Sequence, residues 1–506
     1  MNLMKFRVWL AFVFPLSFSM TSVYSGTPTD SYINSIKTKI NHVISPTLSS
    51  QNQINIQELT KFSFEMQPSV EEALPVIKPA QSLSGNVGNV NHLPSAQYEL
   101  SMLEAINQAL QHRPEISKSI SKILGQGENI NTAKAQYYPQ ISGGISTADL
   151  TSGERGRQLY TLSATQVLYD FGKIKSSVNT EEYKFLQEQA NTLISIDDIA
   201  YETANAIINI NRYKQIVHVA EQQIQGISRI AEIANLRAKA GISSQVDPIQ
   251  AQSDLEAAQS NKVVQESQLK QHQQKLRTLL GYDVSNTQLT ISDNLVQNSG
   301  LYSDTDFSAI PKMMAAQMAI QIAKYQKEQT KLSAYPSINL KGSLSQAVNG
   351  KNPNNNEDQG TYSSIMLEAT SNFYQGGAIR SRLRSANYAE EAAKAEVSTV
   401  YLDVVDNVRL LREQIESKQK QIDVLVVRKG ITATTKELYQ EQYKLGTRTV
   451  IDLLNSEQAI HAVAQEIENA RYDIYASLIK YIQVTGRSRD VYKLNNTLIQ
   501  GFKIEP

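Results

Sequence analysis

Two aspartates in this chain of 506 residues follow a glycine by six positions: Gly241 leads to Asp247 in GISSQVD, and Gly446 leads to Asp452 in GTRTVID. A carboxylate so placed can do two kinds of work. It can sit in the first turn of a helix, where negative charge is stabilised by about 0.3–1 kcal/mol, or it can hold its charge ready for a partner. The glycines supply the left-handed backbone at which a helix stops and turns. Arg448 stands two positions after Gly446 and Tyr443 three before it; the counterpart of Arg448 in the first stretch is Ser243. Turn geometry therefore does not require the arginine, and the asymmetry points to a role of its own.

Other chemistry is not provided for. The chain has no cysteine and six scattered histidines, which removes disulfides, thiolate sites and thiol catalysis. It has no HExxH and no histidine pair at ligand spacing for a metal. No nucleophile–base–acid set, paired-acid cleft or phosphate loop is present, and dispersed carboxylates on long helices are usually solvated faces. The expectation is a protein that is not an enzyme and takes no cofactor. The 49 basic and 49 acidic residues cancel, so no overall field recruits nucleic acid.

The elements that carry the two turns come in duplicate. Pro114 and Pro139 recur as Pro311 and Pro336, 197 residues on; Tyr169, Gly172, Gly241 and Gly281 recur as Tyr374, Gly377, Gly446 and Gly486, 205 residues on. The extra eight residues fall between Pro336 and Tyr374, around NGKNPNNNEDQG, a loop by composition. Each copy predicts a helix of about 25 residues, two alternating strands starting after Pro139 or Pro336, a helical run of about 70 residues, a turn, and a returning helix of about 35 residues. In the second returning helix Ile460, Ile467, Ile474 and Tyr481 recur every seven residues, interleaved with Val463, Ala470 and Ser477, a coiled-coil seam. The domain reading is 1–25 a secretory signal peptide with Lys5 and Arg7 before an apolar run, 26–95 a polar extension, disordered or loosely packed, 96–300 and 301–490 the two repeats, and 491–506 a C-terminal tail.

The strands constrain the environment. Ile338, Leu340 and Leu344 alternate with Asn339, Lys341, Ser343 and Ser345; Tyr160, Leu162, Ala164 and Leu168 share one face in the first copy. A half-buried sheet on a helix would fit, yet the neighbouring helices are rich in Gln, Ala and Ser. The remaining place for an exported chain is an outer-membrane barrel with the apolar face toward lipid. Four strands cannot close one, and open edges in hydrocarbon are forbidden, so several chains share a barrel, eight strands from a dimer or twelve from a trimer. A periplasmic coiled-coil scaffold or adaptor without a pore is the alternative.

With the duplicated layout, YYPQI and YPSI before the strands, LYDFGK, AGISSQVD and YKLGTRTVIDLLNSEQA on the page, the chain resembles the TolC family of outer-membrane channel proteins over residues 96–490. The resemblance implies a mostly α fold with a small β part: a homotrimer whose twelve strands form one barrel in outer-membrane lipid and whose long helices form a coiled-coil tunnel across the periplasm. It implies a passive exit duct working with a periplasmic adaptor (membrane fusion) protein and an inner-membrane pump, an ABC or proton-driven transporter, in type I protein secretion or drug efflux. LYDFGK and the long extension lean toward the secretion branch. The turns then lie at the periplasmic entrance. Asp247, Tyr443 and Arg448 match the family's entrance lock, Asp452 matches an acid that rings the aperture, and Asn455 stands where a second acid would be. Gly241, Ser244, Val246, Gly446, Thr447 and Thr449 form the tips that meet the adaptor.

Overall fold

The computed structural model describes residues 99–147, 158–292, 295–348, 350–352, 354–372 and 374–504. The expected signal peptide and polar extension lie outside the described residues. Strand β1 (Glu99–Ser101) runs into α1 (Met102–His112), whose first turn is closed by Ser101 Oγ accepting the Glu104 amide at 3.2 Å. After Arg113, Pro114 opens α2 (Pro114–Ala135); proline suits the first helical position because its missing N–H would have no partner there. Strands β2 (Gln140–Thr147) and β3 (Gln158–Tyr169) follow, then α3 (Lys173–Lys239) and α4 (Val246–Leu280). Strand β4 (Gln288–Thr290), α5 (Leu295–Ser299) and a 3-10 turn at Phe307–Ala309 lead to the second series. That series is α6 (Pro311–Leu332), β5 (Ser337–Val348), β6 (Thr361–Thr370), α7 (Ala378–Lys444) and α8 (Val450–Val484). Helix α9 (Ser488–Val491) and the hairpin of β7 (Leu498–Ile499) and β8 (Phe502–Lys503) complete the described chain.

The two series match in length. Helices α3 and α7 each have 67 residues, and α4 and α8 each have 35. At 1.5 Å per residue the longer pair extend about 100 Å. Both long helices start from a left-handed glycine, Gly172 at φ 95° and Gly377 at φ 85°. Along α8 the expected seam is buried at Val463, Ile467, Ala470 and Tyr481.

Strands β2, β3, β5 and β6 form one antiparallel sheet in that order, with β2 and β6 as its edges. One face carries Ile141, Leu162, Leu344, Ile365 and Leu367, all exposed, Ile365 to 83%. On the other, the register places Ser142, Ser163, Ser343 and Ser364 in a single row across all four strands. Their hydroxyls pair at 2.8 Å (Ser142–Ser163) and 2.7 Å (Ser343–Ser364). One expectation needs correction. A bulge between Val167 and Tyr169 shifts the register, so Tyr169, not Leu168, continues the apolar face beside Ile338; one extra residue reverses the alternation.

The largest apolar core joins α1, the middle of α3, the end of α4 and the C-terminal segment. Residues 491–504 are part of it, with Tyr492, Leu494, Ile499 and Ile504 buried, so the stretch expected as a tail is packed. The parallel pair β1–β4 and the hairpin β7–β8 escaped the sequence reading because two- and three-residue strands show no period.

Among the described residues, two carboxylates are buried in the helical layers. Asp197 of α3 is 4% exposed; burial pushes its pKa up to about 7, against the pull of the Ser488 hydroxyl and Arg489. Glu457 of α8 presses on Gly226 of α3, where an added Cβ would lie 1.7 Å from its Oε1. It meets Lys436 Nζ at 2.5 Å and His461 Nε2 at 3.0 Å. Burial alone would raise its pKa, but these two partners hold it below the usual carboxylate range.

Candidate functional site

The two α–α turns use one backbone design. Gly241 (φ 69°) and Gly446 (φ 79°) are left-handed. The Ile242 amide reaches back to the Arg237 carbonyl at 2.9 Å, and the Thr447 amide to the Gln442 carbonyl at 3.0 Å. These six-to-one bonds satisfy carbonyls that the helix leaves open. The outer residues of both turns face solvent: Ser244, Val246, Thr447 and Thr449 are exposed, and so are the apolar side chains of Ile242, Leu445 and Ile451. Pro139 and Pro336 are far along the chain from the turns, each immediately before a strand.

The starts of the returning helices differ. At α8, Thr449 Oγ1 accepts the Asp452 amide at 3.3 Å, while the Asp452 carboxylate accepts from Thr449 N at 3.3 Å and from Thr449 Oγ1 at 2.9 Å. This is a complete capping box, a motif that satisfies two orphan amides reciprocally. Asp452 therefore caps its helix, as the plainer of the two sequence readings expected. Asn455, one turn on, is exposed. At α4 no side chain closes the helix. Ser244 Oγ accepts from Val246 N at 3.2 Å, and the Asp247 amide goes to the Ser244 carbonyl at 3.2 Å. Pro248 follows at once, and a proline ring disfavours helical backbone at the residue before it.

The residues expected to lock the entrance are not bonded to one another within the single chain. Arg448 stays in its own turn: its Nε donates to Gln442 Oε1 at 3.0 Å, its Cζ lies 4.7 Å from the Tyr439 ring centroid, and Nη1 is 3.9 Å from Asp452 Oδ2. With both ends of that ion pair more than a third exposed, it contributes at most a few tenths of a kcal/mol. The hydroxyl of Tyr443 is buried with no hydrogen-bond partner among the described residues. Burial first, and then the nearby charge of Asp247, push its pKa upward. Asp247 is thus close enough to be felt but makes no bond to it.

Three residues at this site escaped the sequence reading: Arg237, Tyr439 and Gln442. Arg237 of α3 lies over the Tyr443 ring at 4.9 Å and donates to the Lys444 carbonyl at 3.1 Å. Such a stacked cation is worth about 0.5–2 kcal/mol, the upper end when desolvated. The signal was available, since these positions differ between repeats: Arg237 corresponds to Gln442, and Ala234 to Tyr439. Beneath them an apolar cluster joins Ile227, Ile230 and Ala234 of α3 to Tyr443 and to Val450, Leu453 and Leu454 of α8. Among the described residues no three His, Cys, Asp or Glu converge as metal ligands. The arrangement ties helix ends together and bears charge.

A family model described as outer membrane efflux protein matches residues 105–282 and 309–487. The outer membrane protein TolC of Salmonella enteritidis is 23% identical over 430 residues, covering 78% of this chain and 84% of that protein. The alkaline protease secretion protein AprF of Pseudomonas aeruginosa is 19% identical over 405 residues, covering 74% and 82%. Among solved structures, the outer membrane protein VceC of Vibrio cholerae superposes with a TM-score of 0.66 at 16% identity, covering 76% of this chain and 96% of that one. CusC gives 0.66 at 17% identity, covering 81% and 99%. These structures share the fold of this chain.

Proposed function

We infer the work of this chain from its membership: it belongs to the outer membrane efflux protein family, and it is an outer-membrane export channel whose long helices reach into the periplasm. Three copies assemble, each giving four strands to a twelve-stranded barrel and its long helices to one tunnel. The observation that carries this reading is the sheet. Among the described residues its apolar face is uncovered, and both edge strands β2 and β6 lack a second neighbour. Unpaired edges cannot stand in hydrocarbon. Because the strands alternate in direction, β6 of one copy runs antiparallel to β2 of the next, so rotation about an axis closes the ring with no defect.

The row of serines then faces the lumen as a belt of hydroxyls, and the leucine face meets lipid. The tips sit at the periplasmic entrance, where Asp247, Tyr443 and Arg448 hold the closed form between neighbouring copies and Asp452 presents its charge to the aperture. Exposed Ile242, Val246, Leu445 and Ile451 meet a periplasmic adaptor, which couples the duct to an inner-membrane pump. No bond is made or broken; opening is a shift between two packings of the coils. The names of the relatives include both protease secretion and cation efflux, consistent with a duct whose cargo is delivered by the pump.

A cysteine-free chain makes the test clean. Single substitutions Ser163→Cys and Ser343→Cys, recorded in planar bilayers, should lose current when a charged, water-soluble thiol reagent is added. Leu162→Cys and Leu344→Cys should be untouched. Equal reaction on both faces, or a purified chain that never conducts, would contradict the barrel reading.

A further inference from the structure

Arg237 stands in the last turn of α3, yet its guanidinium works on the other half of the chain. Nη1 donates to the carbonyl of Lys444, the last residue of α7, at 3.1 Å. Cζ lies 4.9 Å from the centroid of the Tyr443 ring. Nη2 lies 3.8 Å from where a Cβ would stand on Gly446. One cation at the end of α3 therefore holds a helix-end carbonyl and an aromatic face of the second half, close beside its turn glycine.

Each contact has a physical reason. The last carbonyls of a helix lack intrahelical partners and carry the negative end of its dipole, so a cation is favoured there. A planar guanidinium can donate within its plane while stacking on a ring, which a lysine ammonium cannot do. The link also runs one way only. The counterpart of Arg237 is Gln442, which stays home and accepts from Arg448 at 3.0 Å. The helices below already share an apolar cluster that includes Tyr443, so Arg237 closes over a contact that exists.

We propose that Arg237 is a positioning residue of the gate: it ties the two turns of one protomer to each other and so holds them in the closed packing. Splaying α7 and α8 away from α3 and α4 has to break the Lys444 bond and unstack Tyr443 together. The tie also fixes where the Tyr443 hydroxyl and the neighbouring Asp247 stand for any contact between copies. This inference rests on the duct reading above.

The test is single-channel recording of Arg237→Gln, which installs the side chain the second repeat already tolerates. Losing the tie should raise the open-channel current or open probability by roughly fivefold, the shift that corresponds to one stacked cation, with the thermal midpoint and the oligomer of the wild type retained. Tyr443→Leu should raise it at least as much, because it also removes the hydroxyl assigned to the lock, and adding Arg237→Gln to Tyr443→Leu should raise it by less than Arg237→Gln does alone, since the two share the stacked contact. A destabilised Arg237→Gln chain with unchanged conductance, or a double variant whose effects simply add, overturns the tie. A conducting wild type whose Arg237→Gln variant behaves identically overturns the tie alone. A wild type that forms no pore overturns the duct reading and the tie with it.

Discussion

At the turn after α3, Ser244 offers its hydroxyl to the amide two residues on. At the turn after α7 its counterpart Thr449 exchanges bonds with Asp452 and closes the helix start completely. The glycines, the six-to-one bonds and the helix lengths are the same. What differs is the side chains: Ser243 against Arg448, Ala238 against Tyr443, and Arg237 against Gln442. The backbone of a turn is set by a glycine and a helix end, which both copies keep. Charge and aromatic surface are free to differ once that frame is secured, and here they gather in the second turn, with one cation reaching over from the first.

The same contrast holds higher up the coils, and there it has the largest consequences. Asp197 in α3 is buried where α7 carries Leu402, which is exposed. Its pKa is raised to about 7 by burial, so the folded state keeps a proton that the unfolded state loses at about 3.9. The sign follows: the protonated form is fully favourable below pH ~4, and stability falls as pH rises toward 7, then levels. Relative to Asp197→Asn, the wild type should lose on the order of 3–4 kcal/mol across that window. Thermal unfolding of both chains from pH 4 to 8 checks this, and parallel curves would sink it. Acids held low, such as Glu457, are common to both chains and cancel in the difference.

Next in size is Gly226, where α7 has the exposed Ile431. An added Cβ would strike the buried Glu457 carboxylate and prise it from Lys436 and His461. Gly226→Ala should cost about 3 kcal/mol, read as a lower thermal midpoint, whereas helix propensity alone predicts a gain. A more stable variant would show that α3 and α8 are not in that contact.

Smaller still is the difference between the caps. Thr449→Ala should cost about 1 kcal/mol and Ser244→Ala less than half of that. Amide hydrogen exchange at the start of α8 should then quicken by roughly fivefold, with little change at α4. Equal changes at both turns would erase the distinction.

Much of this was legible in the sequence. Constant offsets between Gly241 and Gly446, or Gly172 and Gly377, revealed the repeat, because a turn that needs a left-handed residue keeps its glycine. The strands were legible because a half-apolar sheet alternates. Leu168 misled for the same reason: a bulge changes the phase without changing composition. Arg237 was passed over because its partners are about two hundred positions away, and only the packing of α3 on α8 brings them together. Asp197 was equally silent, since one acid in a helix with solvated faces looks like any other until burial is known. The expected lock is the instructive case. The charge of Asp247 is felt at Tyr443, yet within one chain Arg448 faces Tyr439 and Gln442.

Arg448 is the charged residue of the second turn that has no charged counterpart in the first, where Ser243 stands. Single-channel conductance of two mirror variants decides most directly whether that charge holds the gate: Arg448→Ser, which gives the second turn the side chain of the first, and Ser243→Ala, which removes its counterpart. The prediction is a several-fold rise for Arg448→Ser and no change for Ser243→Ala. Wild-type conductance in Arg448→Ser, or an equal rise in both, would contradict it.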